Sequence, residues 1–454
     1  MGKPLARALG DFIAGLQFHH LPPQAVQTAR TGIIDCIGVI VVGNEEPPVR
    51  ILRRALTTNA AQGEASLLGS RDRVRTTAPE AAWINGAAGH VLDYDDVAIG
   101  HPSVVIVPGI LAEGEVLDAG GAEIIAAYVA GYEVWIELVR RERGNHQIKG
   151  WHPTSMLGAL AATAACANLR RLTAEQSTHA LGIAAAQACG ITASYGTMAK
   201  SFQVGKAAHT GVLSARLAAL GMTASPEVLD HDRGLLKAIS PAGDVDTSTS
   251  PNQLGIDWHI CKRGLDIKRY PVCYCAHRTI DAVLGLTGRT PIPPEQIERI
   301  EATLSEIHAT ILINHLPQAA LAAKFSVEFA IASTLVAGEV SLKQLNDEFV
   351  RRSDVQDLMR KVTVVTNQDY DPNEPAFSMH DQVRIFLKNG EVLESEKVRY
   401  ARGNARLPLA PGDLERKFMD CVAVGNPELD GKALLGMLQQ LETLPSCRLL
   451  TQSL

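Results

Sequence analysis

The sequence predicts a mainly α protein: a large all-helical domain, residues 1–265 plus 403–454, with an inserted smaller α+β domain over 266–402. Three observations predict it. Apolar residues recur at helical spacing between short Gly/Pro turns through the first half of the chain. Past Arg263 the pattern turns strand-like and includes an Asn389-Gly390 hairpin signal. After Pro408 helical spacing returns in a tail too short to fold alone, which is therefore expected to pack back on the first domain. Composition agrees. With 5% aromatics and 38 glycines among 454 residues, closely packed helices are favoured over an all-β sandwich.

Leu5–Leu16 has apolar positions at helical spacing and runs into Leu21-Pro22-Pro23; Ala25–Val42 continues the habit and stops at Gly43. Residues 80–93, 104–118, 121–142, 154–169, 174–187 and 206–219 repeat it, with Ala-rich faces that let helices approach closely. In the second part, Ile300–Ile307 alternates as a half-buried strand does, Val362–Val365 is a β-branched run, and Val383–Leu387 and Val392–Ser395 flank the hairpin turn. Helical patterns lie between these at 276–287, 326–337 and 353–360, then at Leu414–Val422 and Gly431–Leu441. Two uncharged stretches, Trp151–Leu169 and Ala180–Ala199, are as long as a membrane span, but their Ala, Gly, Ser and Thr content reads as buried core helix.

The net charge of −6 is spread along the chain with no basic block, so nucleic acid is not an expected partner; nor is a membrane. The N-terminus lacks a signal-peptide apolar region, and the eight cysteines are scattered in apolar contexts, which predicts reduced thiols in a cytoplasmic protein. Cys273, Cys275 and His277 form a C-x-C-x-H cluster, a spacing that structural zinc and iron–sulfur sites do not ordinarily use. No dinucleotide fingerprint, phosphate loop, Gly-x-Ser-x-Gly elbow or His-Glu-x-x-His is present, so nucleotides, serine hydrolysis and zinc proteolysis lack support.

Four segments remain as candidates for chemistry. Asn85–Asp96 holds His90 and Asp93 one turn apart on a helix expected over 81–93, then Asp95 and Asp96, and is followed by His101-Pro102-Ser103. Acids at a helix C-terminus oppose the macrodipole, which suggests a task; a solvated acidic loop is the alternative. In Gly150–Thr154, Pro153 suits the first turn of a helix and sets His152 at its N-terminus, where the dipole lowers an imidazole's pKa. His152 there is either a base beside a carboxylate or a structural cap. Lys200 ends a charge-free stretch and either reaches into a cleft or snorkels to solvent. Lys268–Cys273 lies at the domain junction, where ligand clefts commonly form. Together these residue types fit proton abstraction beside a substrate carboxylate, with cations countering the developing enediolate charge.

Taken in order, these blocks resemble the MmgE/PrpD family almost end to end. Asn85–Asp96 followed by His101-Pro102-Ser103 is similar to its N-G-x-x-x-H-x-x-D-[FY]-D-D block with His-Pro-Ser, and Gly150–Thr154 to its Gly-Trp-His-Pro-Thr block. Gly196–Lys200, Gly205–Gly211, Lys268–Cys273 and Lys324-Phe325-Ser326 match further family motifs. The resemblance implies a helical domain with an inserted α+β lid, a homodimer, and action on a small polycarboxylate with no metal and no organic cofactor. Members include 2-methylcitrate dehydratase, cis-aconitate decarboxylase and iminodisuccinate epimerase. It carries the site onto Asp93, His101, His152 and Lys200 as catalytic residues and Lys268 as a substrate-binding residue. Asp93 or His152 would take a proton, His101 or Lys200 would assist the leaving group, and Lys268 would grip a carboxylate. The leading expectation is a hydro-lyase of the 2-methylcitrate dehydratase type, with epimerase and decarboxylase as alternatives. Val97, where dehydratase- and decarboxylase-like members often have Thr, and the short 97–100 loop depart from the pattern.

Overall fold

The structure, a computed structural model, describes residues 3–57, 63–288, 292–372, 374–410 and 412–454. Among the described residues the chain opens with nine α-helices, α1 Leu5–Gly15, α2 Pro23–Gly43, α3 Pro47–Leu56, α4 Ala78–Val91, α5 Pro102–Leu117, α6 Gly121–Val139, α7 Pro153–Leu169, α8 Ala174–Ala185 and α9 Met198–Ala219. Several begin with proline in the first turn, where its missing N–H costs nothing. Thr77 caps α4 by accepting the Glu80 N–H, and Thr173 caps α8 through Gln176.

Small residues set the helix crossings. A Cβ on Gly205 of α9 would lie 2.2 Å from the Trp83 carbonyl of α4, and one on Gly43 of α2 would lie 2.0 Å from the Ala88 carbonyl of the same helix. Only glycine permits those approaches. They lock α4 between α2 and α9, which brings the last turn of α4 against the first turn of α9. Helix α2 is long and apolar enough to cross a membrane by length and composition, yet 72% of its apolar window is buried inside the protein. Helix α7 is buried along its whole length.

A second group of elements follows: α10 His277–Thr287, β1 Ile297–Ser305, α11 Val327–Ala337, α12 Ser353–Met359, β2 Val362–Asn367, β3 Gln382–Leu387 and β4 Val392–Glu394. Among the described residues the strands form a mixed sheet of order β2-β1-β3-β4. β1 runs parallel to β2 with Ile300 opposite Val362, and antiparallel to β3 with Ile300 opposite Ile385. The β3–β4 hairpin turns at Asn389-Gly390, where Gly390 takes φ +88°. Helices α13 Asp413–Gly425 and α14 Gly431–Gln439 follow the sheet. One apolar cluster draws on Leu5 through Ile267 and on Phe418 through Leu454, and another on Tyr270 through Leu387. Helix α13 lies on α2, with the Phe418 ring over Gly38.

The mainly α class is as predicted, and three elements differ from the sequence reading. The helix expected over 81–93 ends at Val91, and Asp93 takes the left-handed conformation at φ +52°, so its side chain leaves the helix face. Ala180–Ala199 is not one helix: α8 stops at Ala185, Gly190 turns the chain at φ +128°, and α9 begins at Met198. Helix α9 thus starts eight residues before the expected 206, which puts Lys200 in its first turn. Strand β1 ends at Ser305 rather than Ile307, because the Ser305 hydroxyl accepts the His308 N–H and starts a short helix.

Candidate active site

The site grows from the segment between α4 and α5. His90, in the last turn of α4, faces Asp95 through Nδ1 at 2.9 Å and Lys200 Nζ through Nε2 at 2.7 Å. The left-handed turn at Asp93 aims its carboxylate at two ammoniums. Lys200 bonds Oδ1, and Lys268 bonds Oδ2 at 2.8 Å as well as the Asp93 carbonyl at 2.6 Å. Lys268 is fully buried. Its position follows from a two-way backbone bridge between Val97 and Asp266, which ties the short 97–100 loop to the strand-like residues just before it.

Asp95 and Asp96 are both buried, which removes the reading of a solvated acidic loop, and they do different work. Asp95 receives His90 Nδ1 and, at 3.1 Å, His101 Nδ1. Asp96 accepts the Ser103 N–H at 3.3 Å and the Ser103 hydroxyl, so it substitutes for a side-chain cap on α5. His101 is the N-cap residue of α5, and its Nδ1 also donates to the Asp96 carbonyl at 3.0 Å. The loop is held from outside as well. Lys417 of α13 donates to the Tyr94 carbonyl at 2.8 Å while paired with Asp35 of α2 at 2.6 Å.

His152 stands at the N-cap position of α7 without a side-chain bond to the helix, and its Nδ1 meets Gln203 Nε2 at 2.7 Å. Tyr195 stands edge-on to His152 and stacks on Phe325, and Lys200 Nζ lies about 5 Å above both rings, at 5.5 and 5.0 Å. Lys324, also buried, donates to the Val91 carbonyl at 3.0 Å. A narrow cavity lined by His90, Asp93, Thr197, Lys200, Lys324 and Phe325 marks the meeting point. A larger open cavity beside Asp281, Tyr400 and Arg402 holds none of these groups.

The electrostatics follow from burial and pairing. Burial would raise the Asp93 carboxyl, but Lys200 and Lys268 outweigh it and hold the group well below the usual carboxylate range. Burial would lower the Lys268 ammonium; Asp93 and Asp95 outweigh it and raise it. Burial, with Lys200 adjacent, pushes His90 down to about 4 against the pull of Asp95. His152 lies well below its ordinary value, through burial first and then Lys200. Burial lowers Lys324 to about 8.

All five residues expected from the sequence are placed in or beside this cluster. Asp93, Lys200 and Lys268 share direct bonds, His101 joins through Asp95, and His152 joins as a ring 6.0 Å from His90. The sequence reading did not assign roles to His90, Asp95, Gln203 or Lys324. His90, Asp95 and Lys324 stood inside recognised motifs, and that was the available signal; Gln203 had none. His90, Asp93 and His101 bring one ligand atom each within 4.8 Å of one another, a spacing that suits a cation. The donor set does not fit one. Both Asp93 oxygens already accept from ammoniums, His90 has both nitrogens engaged, and two lysines would oppose a further positive charge. His277 instead meets the Val272 carbonyl at 3.3 Å, buried away from solvent.

These features define a class: an α-helical enzyme whose acid–base groups are bracketed by lysines. The chain belongs to the MmgE/PrpD family, whose N-terminal domain model matches residues 7–248 and whose C-terminal domain model matches 270–440. It is similar to the cis-aconitate decarboxylase of Homo sapiens, 25% identical over 466 residues that cover 99% of this chain and 94% of that protein. The Mus musculus cis-aconitate decarboxylase is 26% identical, covering 100% and 94%. The Aspergillus terreus enzyme of that name is 29% identical over 395 residues, covering 82% and 80%.

Proposed function

We propose that this chain is a lyase that decarboxylates a small unsaturated polycarboxylate of the cis-aconitate type, with its own residues supplying all the acid–base chemistry. The observation that carries this reading is the charge balance of the buried cluster. Lys200, Lys268 and Lys324 set three ammoniums against the two carboxylates of Asp93 and Asp95. A surplus of positive charge in a water-poor site draws in a polyanion and is worth most when new negative charge develops.

In the reaction the bond to one carboxylate breaks and its carbon leaves as CO₂. The electron pair moves across the adjacent double bond to the carbon beside a second carboxylate, forming an enediolate. Lysine ammoniums stabilise that charge, and an imidazole N–H delivers the proton that completes the product. Similarity to three cis-aconitate decarboxylases, nearly full-length for two of them, supports this over the dehydration that the motifs alone put first. The same groups would serve dehydration or epimerisation if a base removed an α-proton instead.

The test is a ¹³C and ¹H NMR time course in deuterated buffer with cis-aconitate, 2-methylcitrate and iminodisuccinate in parallel. The expected result is CO₂ release from cis-aconitate with one deuterium entering the product. Loss of water from 2-methylcitrate, or α-deuteration of iminodisuccinate, without CO₂ release from cis-aconitate would overturn it.

A further inference from the structure

Three histidines enter the cluster, and the hydrogen-bond partners of each decide which ring nitrogen carries the proton. Gln203 is the informative case. Its Oε1 accepts the Ile191 N–H at 3.0 Å and its Nε2 donates to the Ile191 carbonyl at 3.1 Å. One backbone residue therefore presents both a donor and an acceptor to the same amide. Flipping that amide would set N–H against N–H and oxygen against oxygen, so its orientation is determined. The second hydrogen on Nε2 points at His152 Nδ1, 2.7 Å away. An Nδ1 that receives a hydrogen bond has none of its own, so the His152 proton sits on Nε2.

The position of Ile191 is itself secured. Its residue pairs with Trp151 across a short antiparallel bridge, the His152 N–H donates to the Gly190 carbonyl at 3.0 Å, and the Ser155 hydroxyl donates to the Gln203 carbonyl at 2.6 Å. A second proton on Nδ1 would meet the Gln203 amide hydrogen head-on, and the N-terminus of α7, Lys200 and burial all oppose the added charge. His152 is thereby kept neutral.

His101 is arranged the other way. Its Nδ1 faces the Asp96 carbonyl at 3.0 Å and Asp95 Oδ2 at 3.1 Å, and both are acceptors. Nδ1 therefore carries a hydrogen, and in the neutral ring Nε2 is left with the lone pair. His90 has Nδ1–H on Asp95 and its Nε2 lone pair taken by Lys200, so it has no nitrogen to offer. Among the described residues no hydrogen-bond partner reaches Nε2 of either His101 or His152.

We infer that His101 and His152 are held in opposite tautomers, His152 as an Nε2–H proton donor set by Gln203 and His101 as an Nε2 proton acceptor set by Asp95 and the Asp96 carbonyl. Gln203 is a positioning residue that acts through His152. This assignment of roles rests on the proposed polycarboxylate lyase reading; the tautomers themselves do not. It replaces the sequence expectation that His152 removes a proton. In decarboxylation the Nε2–H proton of His152 passes to the enediolate carbon, and the imidazolate left behind, next to the Lys200 ammonium, takes a proton back from solvent.

The experiment is long-range ¹H–¹⁵N correlation on ¹⁵N-histidine-labelled full-length protein between pH 6 and 8, with His101→Asn and His152→Asn spectra for assignment. The expected result is the Nε2–H pattern for His152 and the Nδ1–H pattern for neutral His101. An Nδ1–H pattern for His152 in the wild type overturns the inference, whatever the activity. Gln203→Glu replaces the amide donor with an acceptor and is expected to move the His152 proton to Nδ1. In that variant kcat is expected to fall at least about tenfold with KM changed less than about threefold, because a transition-state proton is lost and substrate grip is kept. Gln203→Met, which offers no strong acceptor, is expected to keep more activity than Gln203→Glu; equal activity in all three proteins overturns the role given to Gln203. The expected tautomers together with no turnover of any polycarboxylate would uphold the tautomer assignment and refute the lyase reading instead.

Discussion

The two apolar clusters contribute differently to the site. The helical one supplies the imidazoles and carboxylates of the site, His90, Asp93, Asp95, His101 and His152, carried on or beside α4, α5 and α7, together with Lys200 on α9. The other supplies Lys324 and Phe325, a charge and an aromatic face, while Lys268 stands where the two meet. Proton transfer requires placement to a fraction of an ångström, and the glycine-mediated crossings of α2, α4 and α9 provide it. Charge acts over longer distances and tolerates looser placement. The difference teaches that chemistry and grip are separable here, and substitutions on each side should show it.

The largest effect is expected from Lys200→Met. It removes an ammonium bonded to Asp93 and adjacent to His90, and kcat should fall about 10²–10³-fold, the usual consequence of losing one preorganised electrostatic contact. Steady-state kinetics on the true substrate decide it, and a variant keeping a third of wild-type kcat would break the comparison. Lys324→Met should behave in the opposite sense. Loss of a charged contact, about 1.5–3 kcal/mol, should raise KM about tenfold to a hundredfold with kcat nearly unchanged. Because burial disfavours the Lys324 ammonium, thermal denaturation of the ligand-free variant should give a Tm equal to or above wild type.

A pH series sharpens the same contrast. Lys324, lowered to about 8, is charged below that pH and neutral above it. KM for a polyanion should therefore rise as pH passes about 8, and Lys324→Arg, which stays charged, should flatten that rise. The last effect concerns stability in acid and leaves catalysis aside. His90 is held neutral down to about 4 when folded but takes a proton near 6.5 when unfolded. Its stabilisation is present above pH 6.5 and is lost as pH falls toward 4, by about 1.4 kcal/mol per unit. Calorimetry should show Tm falling across that window, and His90→Gln should lessen the slope.

Much of this was legible in the sequence. Helical spacing located the long helices within a few residues, and Asn389-Gly390 located the hairpin, because both signals are local. The site was legible as an ordered set of motifs, with no geometry attached. The contact of His90 with Lys200 joins residues 110 positions apart through a helix crossing that no local pattern encodes. The left-handed Asp93 was missed because a continuous helix over 81–93 satisfied the periodicity equally well. Gln203 was invisible because its meaning lies in a backbone bridge formed by residues 151 and 191.

The clamp from Lys417 carries a consequence for how the molecule comes into being. Residues 35, 94 and 417 meet at one point, so the loop that aims Asp93 and Asp95 is braced by a residue made after every reactive group of the site. A ribosome that has synthesised every acid, base and ammonium of the site still holds a chain without that brace. Activity should thus be acquired only once residue 417 has emerged, and a product released shortly before it would carry the full set of reactive groups while remaining inert.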